Sequence, residues 1–138
     1  MSVTEQARPR KIRILLADDH PQLRGQLASR LSREPDFDLI GVASNSTQTL
    51  KEAKAKQPDL LLMDPLMLDG LGLATIRHVH ANMPSIVIVV LTAFIDTALN
   101  MQLREMGVEH ILAKGVLSSQ LVTELRAAIN TSHRPHGS

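Results

Sequence analysis

The run Ile86-Val87-Ile88-Val89-Val90-Leu91 is apolar at every position and β-branched at all but the last. That is the composition of a strand covered on both faces, not of one with a wet side. Such a strand belongs to a parallel sheet with helices on each face, and it is expected near the middle. Four shorter apolar runs stand around it: Ile12 to Ala17, Leu39 to Ala43, Leu60 to Met63 and Ile111 to Ala113. Stretches of helical period alternate with them. Leu23, Leu27 and Leu31 recur along one face of the first while Arg24, Arg30 and Arg33 take other positions, as an amphipathic helix on a sheet requires. Leu73, Ile76 and Val79 mark the third helix, and Leu121, Leu125 and Ile129 the fifth. Leu99, Leu103 and Met106 mark the fourth, with Gly107 placed to supply a left-handed ending. The second, about Thr47 to Gln57, has only Leu50, Ala53 and Ala55 to bury before Pro58 stops it, so it should pack least tightly. Five strands alternating with five helices predict an α/β protein of repeated βα units.

The chain has 138 residues, 43% of them apolar, which suits one domain with a sizeable core. Without Cys it has neither a disulfide framework nor a thiolate zinc site. Phe37 and Phe94 are its only aromatic residues and the net charge is +1. Those values argue against a stacking platform for bases and against a general attraction to phosphate backbones. The polar, basic start from Met1 to Lys11 lacks the apolar segment of a secretory signal, and no later run reaches the length of a bilayer span. A cytoplasmic protein with no membrane partner is expected. Residues 1–10 and 131–138 read as flexible tails around a body at 11–130. The basic group Arg8, Arg10, Lys11 and Arg13 reads as solvated, and His133 and His136 fall in the second tail. His78 and His80 are two apart, which on a helix points them about 200° apart and disfavours a shared metal. The methionines read as core filler, with Met101 a contact on the fourth helix.

In a parallel βα sheet, ligands bind beyond the carboxyl ends of the strands. Asp18 and Asp19 follow the first run, Asp64 the third, Thr92 ends the fourth and Lys114 follows the fifth. Singly, each has an ordinary role as a cap, a strand residue or a solvated lysine. Together they put complementary groups at four successive strand ends. Three converging carboxylates repel one another unless a cation sits among them, and Mg²⁺ suits an all-oxygen set that leaves room for a phosphoryl oxygen. An ammonium and a hydroxyl are suited to grip that phosphoryl group, which makes Asp64 a candidate phosphoacceptor.

At these residues the chain resembles a response regulator receiver domain, over about Lys11 to Asn130. The resemblance rests on ILLADDHP around Asp18, Asp19 and His20, PDLLLMD ending at Asp64, VVLTA with Thr92, and ILAKG with Lys114. ADDHP is closest to receivers that precede a LuxR-type helix-turn-helix. The resemblance implies a flavodoxin-like three-layer sandwich, a five-stranded parallel sheet in the order 2-1-3-4-5 with five helices, an order the chemotaxis receiver exemplifies. It implies that Asp64 accepts a phosphoryl group from a histidine kinase or a His phosphotransfer protein. Asp18, Asp19 and Asp64 would hold Mg²⁺ with the backbone carbonyl of Leu66, Asp19 as a direct ligand. Thr92 and Lys114 would engage the phosphoryl group and bias the surface of the fourth helix, fifth strand and fifth helix, near Leu99 to Met106 and Val116 to Leu125. That face would serve a partner or a homodimer. Beyond its own phosphorylation and dephosphorylation no enzyme activity is implied.

Three departures from the family pattern stand out. Pro65, Leu66, Met67 and Leu68 separate Asp64 from Asp69 and Gly70, two residues fewer than usual. The shortening and the restriction imposed by Pro65 both fall where the Leu66 carbonyl must turn inward. Ile111 and His110 stand where an aromatic residue and a glycine are common, so an aromatic rotamer switch is absent. Lys114 precedes Gly115, for which a cis bond would cost about 3 kcal/mol, so a trans bond is expected. Leu66 and Phe94, apolar at positions that govern hydrolytic water, imply a long-lived phosphoaspartate. The altered loop makes a phosphorylation-independent interaction module the alternative function. An enzyme of flavodoxin-like fold is disfavoured, since Asp18 and Asp19 would repel a phosphate from the first loop and no aromatic partners for a flavin exist. These 138 residues contain no helix-turn-helix after the fifth helix, so direct nucleic-acid binding by the chain is not expected.

Overall fold

A computed structural model of the protein describes residues 10–93, 96–116 and 118–132. In chain order the elements are β1 (Ile12–Ala17), α1 (Pro21–Ser32), β2 (Phe37–Ala43), α2 (Ser46–Lys56), β3 (Leu60–Met63), α3 (Gly72–Asn82), β4 (Val87–Thr92), α4 (Thr97–Glu105), β5 (His110–Ala113) and α5 (Ser118–Ser132). All four strand pairings are parallel and the sheet order is β2-β1-β3-β4-β5. The α/β class, the five helices and the strand order agree with the expectation. The Lys114–Gly115 bond is trans, as no cis peptide occurs among the described residues.

The apolar strands serve two cores because successive side chains point to opposite faces. Leu15, Leu61, Met63, Ile88 and Val90 pack with Ala53, Ile76, Val79, Leu99 and Leu103 from α2, α3 and α4. Ile14, Leu16, Leu60, Leu62, Val89 and Leu91 pack with Leu27, Leu31, Leu121 and Leu125 from α1 and α5. This is why β3 and β4 are buried at every position.

The β4 run lies near the middle, as expected, between β5 and the central strand β3. An apolar run reports cover on both faces, and its length says nothing about rank in the sheet. β2 begins at Phe37, two residues before the expected run, with Asp38 exposed on what is an edge strand. Arg13 is not merely solvated: its guanidinium donates to the carbonyls of Lys56 and Gln57 at 2.7 Å each and closes the carboxyl end of α2. Gly107 has φ +97°, and a Cβ there would fall 2.3 Å from the His80 ring, so only glycine fits after α4. α5 continues to Ser132, two residues past the expected end of the body. Phe94, Arg8, His133 and His136 lie outside the described residues, as do most of the expected tails. No described helix is long and apolar enough to cross a membrane.

Candidate functional site

Strand pairing carried one residue beyond the strands builds the site. The Asp18 N–H donates to the Ala43 carbonyl at 3.1 Å, Asp64 N–H to Ala17 at 3.1 Å, and Lys114 N–H to Thr92 at 2.7 Å. Three functional backbones are thereby fixed at adjacent strand ends before their side chains make any contact. Thr92, fully buried, closes β4 beside Lys114.

The side chains then converge. Lys114 Nζ donates to Asp64 Oδ2 at 2.6 Å and lies 3.0 Å from Asp18 Oδ2. Asp18 and Asp64 are almost wholly buried. Burial pushes the Lys114 pKa down, but hydrogen bonds to Asp64 and Asp18 and their charges outweigh it, so the ammonium is held above its ordinary range. Asp19 Oδ2 accepts from the Leu68 N–H at 2.6 Å, whereas its Oδ1 is buried without a hydrogen-bond partner. Asp64 Oδ1 accepts from the Leu66 N–H at 2.8 Å. Arg24 Nη1 donates to the Asp18 carbonyl at 2.9 Å and ties α1 to the end of β1.

One ammonium faces three carboxylates. Two like charges 4 Å apart cost about 4 kcal/mol at an effective dielectric near 20, so a single lysine leaves an acid excess. One oxygen from each of Asp18, Asp19 and Asp64 lies within 4.8 Å of the others. The orphaned Asp19 Oδ1 and the all-oxygen carboxylate set both fit a hard divalent cation such as Mg²⁺.

The sequence reading gave no role to His20, whose Nδ1 stands 3.0 Å from Asp18 Oδ1, 3.3 Å from Asp19 Oδ1 and 3.1 Å from Lys114 Nζ. It also missed what anchors the loop after Asp64. A Cβ on Gly72 would fall 2.1 Å from the Pro65 carbonyl oxygen, so that close approach demands glycine. Asp69 accepts from the Ser46 N–H at 2.7 Å, the Ser46 hydroxyl at 2.9 Å and the Leu71 N–H at 2.9 Å. Burial raises the Asp69 pKa, but these donors lower it by more. With Met67 buried beneath, the loop is pinned to the start of α2.

This fold and this acid-rich strand edge define a signalling receiver, a class of protein whose members typically bind Mg²⁺ at such a pocket. The sequence profile described as response regulator receiver domain matches residues 14–126, and the chain belongs to that family of two-component signalling domains. It is 34% identical over 118 residues to the transcriptional regulatory protein LiaR of Bacillus subtilis, covering 85% of this chain and 56% of that protein. Response regulator protein VraR of Staphylococcus saprophyticus is 30% identical over 119 residues, covering 86% of this chain and 57% of that protein. The chain thus spans about half the length of the curated relatives it matches. The signal receiver domain of a NarL response regulator from Mycobacterium tuberculosis has the same fold, with a TM-score of 0.83 at 24% identity over 88% of this chain and 98% of that one.

Proposed function

We propose that Asp64 accepts a phosphoryl group from a histidine kinase or a His phosphotransfer protein, and that the modification alters the α4–β5–α5 surface. One observation carries the reading: Lys114 Nζ lies 2.6 Å from Asp64 Oδ2 with Asp18 and Asp19 alongside. An Asp64 oxygen attacks phosphorus, the P–N bond of the phosphohistidine breaks, and the donor imidazole leaves with the bonding pair and takes up a proton. Asp18, Asp19 and Asp64 would hold Mg²⁺, which supplies positive charge against the phosphoryl oxygens when bound. The Lys114 ammonium pairs with a phosphoryl oxygen and the Thr92 hydroxyl donates to another. A hollow of about 470 Å³ lined by His20, Pro21, Leu23, Gln26, Ala93 and Lys114 offers the donor an approach.

Thr92 ends β4 and Lys114 directly follows β5, so a pull on either is passed to the segments that lead into α4 and α5. Ile111, half-buried, gives this switch no aromatic rotamer. The same face, with Met101 exposed on α4, is proposed to carry an output partner or a second copy, in the cytoplasm. The Leu66 carbonyl is kept as a metal ligand in this proposal, its N–H being used by Asp64.

Incubation with acetyl phosphate and Mg²⁺ followed by intact-mass measurement tests the acceptor. The wild type should gain one phosphoryl group and Asp64→Asn none. An unmodified wild type would overturn the proposal in favour of the phosphorylation-independent module.

A further inference from the structure

Of the five helices α2 has the fewest apolar residues to bury, and its outer side toward α3 is left open. Leu50, Lys51 and Lys54 share one stripe of α2, and Leu71, Ala74 and His78 stand at helical spacing along the start and outer side of α3. The two stripes bound a groove of about 530 Å³. Its floor is apolar: Leu50 turns partly into the core, Leu71 is 50% exposed and Ala74 is exposed. With an alanine and a half-exposed leucine on the α3 side, the two helices do not fill the space between them.

The rim of this groove is cationic. Lys51 and Lys54 are exposed and three residues apart on the same helix, where like charges repel. Neither has an ion-pair partner among the described residues, and no carboxylate is among the described residues that line the groove. Glu52, the one acid of α2, lies on its other side near Gly41 and pairs with Lys56 at 3.1 Å. Asp69, at the mouth of α3, has both oxygens engaged by Ser46 and Leu71. An apolar floor between unpaired lysines calls for a ligand with apolar side chains flanked by acids.

We propose that the α2–α3 groove is a docking site for an acidic amphipathic helix of a partner protein. Its apolar stripe would lie on Leu50, Leu71 and Ala74 and its carboxylates would meet Lys51 and Lys54. The charge match excludes the nearer candidates. Residues 1–9 hold one acid, Glu5, close to Arg8, and residues 133–138 hold none, so neither stretch supplies such a segment. A second copy laid symmetrically on this face would set lysines against lysines. A flat anionic bilayer would meet the lysines but leave the concave apolar floor empty.

Amide chemical-shift mapping of the isotope-labelled full chain tests the assignment. The probe is a synthetic amphipathic peptide of about four helical turns, with leucines on one face and glutamates on the other. It should shift the amides of residues 47–54 and 71–78. The double variant Lys51→Glu/Lys54→Glu, whose two side chains are exposed and whose melting temperature should match the wild type, should bind it at least about tenfold more weakly. Leu71→Ser should weaken binding with both lysines intact, which attraction of charge alone would not give. Equal binding of a peptide with lysine in place of glutamate overturns the charge match, and shifts confined to other faces, or none at all, overturn the site. Vesicles of phosphatidylserine and phosphatidylcholine that shift these residues when the acidic peptide does not would make the groove a membrane contact. Shifts that grow with protein concentration alone would make it a contact between copies. Either result overturns the proposal.

Discussion

Two clusters of acids and bases sit at different places in this fold and solve opposite problems. Between α5 and the α1–β2 connection, Arg126 meets Asp36 through two hydrogen bonds of 2.7 and 2.9 Å and also meets Glu34, while Arg30 pairs with Glu34 at 2.6 Å. Two acids face two bases, and Arg126 also lies over the Phe37 ring at 5.2 Å. The pairing lowers the pKa of Glu34, through Arg30 first and then Arg126, and of Asp36, through Arg126. It raises that of Arg126. At the strand ends, three acids face Lys114 and a histidine ring. The first cluster is balanced and joins elements far apart in sequence, and the second is short of positive charge. An unbalanced buried cluster costs stability, and such strained groups of titratable side chains tend to gather at functional sites.

The largest expected effect comes from unbalancing the pocket further. Lys114→Met leaves Asp18 and Asp64 buried without their cation, which should lower stability by about 3 kcal/mol in urea unfolding without divalent ions. Added Mg²⁺ should restore part of that loss. If it restores none, the pocket holds no metal. Asp19→Asn should work the other way: with one charge fewer and the Leu68 contact retained, the metal-free protein should gain about 1 kcal/mol. The same variant should lose the rise in melting temperature that Mg²⁺ gives the wild type.

The balanced cluster should respond less. Arg126→Met is expected to cost below about 1 kcal/mol, since the guanidinium is more than a third exposed and the pairs are screened. High salt should erase most of the difference. A larger loss that ignores salt would make the cluster part of the core, contrary to this comparison.

The two clusters should also separate along the pH axis, with the smallest effects. The folded-state pKa values of Glu34 and Asp36 lie below their ordinary 4.5 and 3.8. Their stabilisation is therefore complete above those values and lost as pH falls through the lowered ones. Lys114 is held above its ordinary 10.5, so its contribution is complete below that pH and lost as pH rises through the raised value. Melting curves across pH should show Asp36→Asn flattening the acid limb and Lys114→Met removing the decline on the alkaline limb.

Much of the fold was legible because each strand is an almost purely apolar run that ends on a polar residue. β1 and β3 agree with their runs to the residue, since Asp18 and Asp64 stop them chemically. The pocket followed from those stops, as parallel pairing brings the ends together whatever the helices do. The central place of β3 came from the family resemblance, which implies the order 2-1-3-4-5, and not from the run itself. Four apolar residues carry no sign of having neighbours on both sides, whereas the longer β4 run advertises its burial.

The loop after Asp64 could be read in the sequence as a run of residues but not as a shape. Nothing in Pro65, Asp69 or Gly72 announces that one carbonyl would press on a glycine, or that a carboxylate would anchor Ser46 from 23 positions away. His20 escaped notice for a similar reason: beside a helix-starting proline it reads as an ordinary turn residue. Arg13 looked solvated because its acceptors are the free carbonyls that end α2, 43 and 44 residues along the chain.

The sequence by itself determined the class of fold, the strand ends and the identity of the convergent polar groups. Periodicity and strand boundaries are local properties, written in the order of the residues. Only the tertiary structure decided how the loop after Asp64 closes and that an imidazole joins three carboxylates. Those are relations between distant segments, fixed by hydrogen bonds and packing distances that no local pattern encodes.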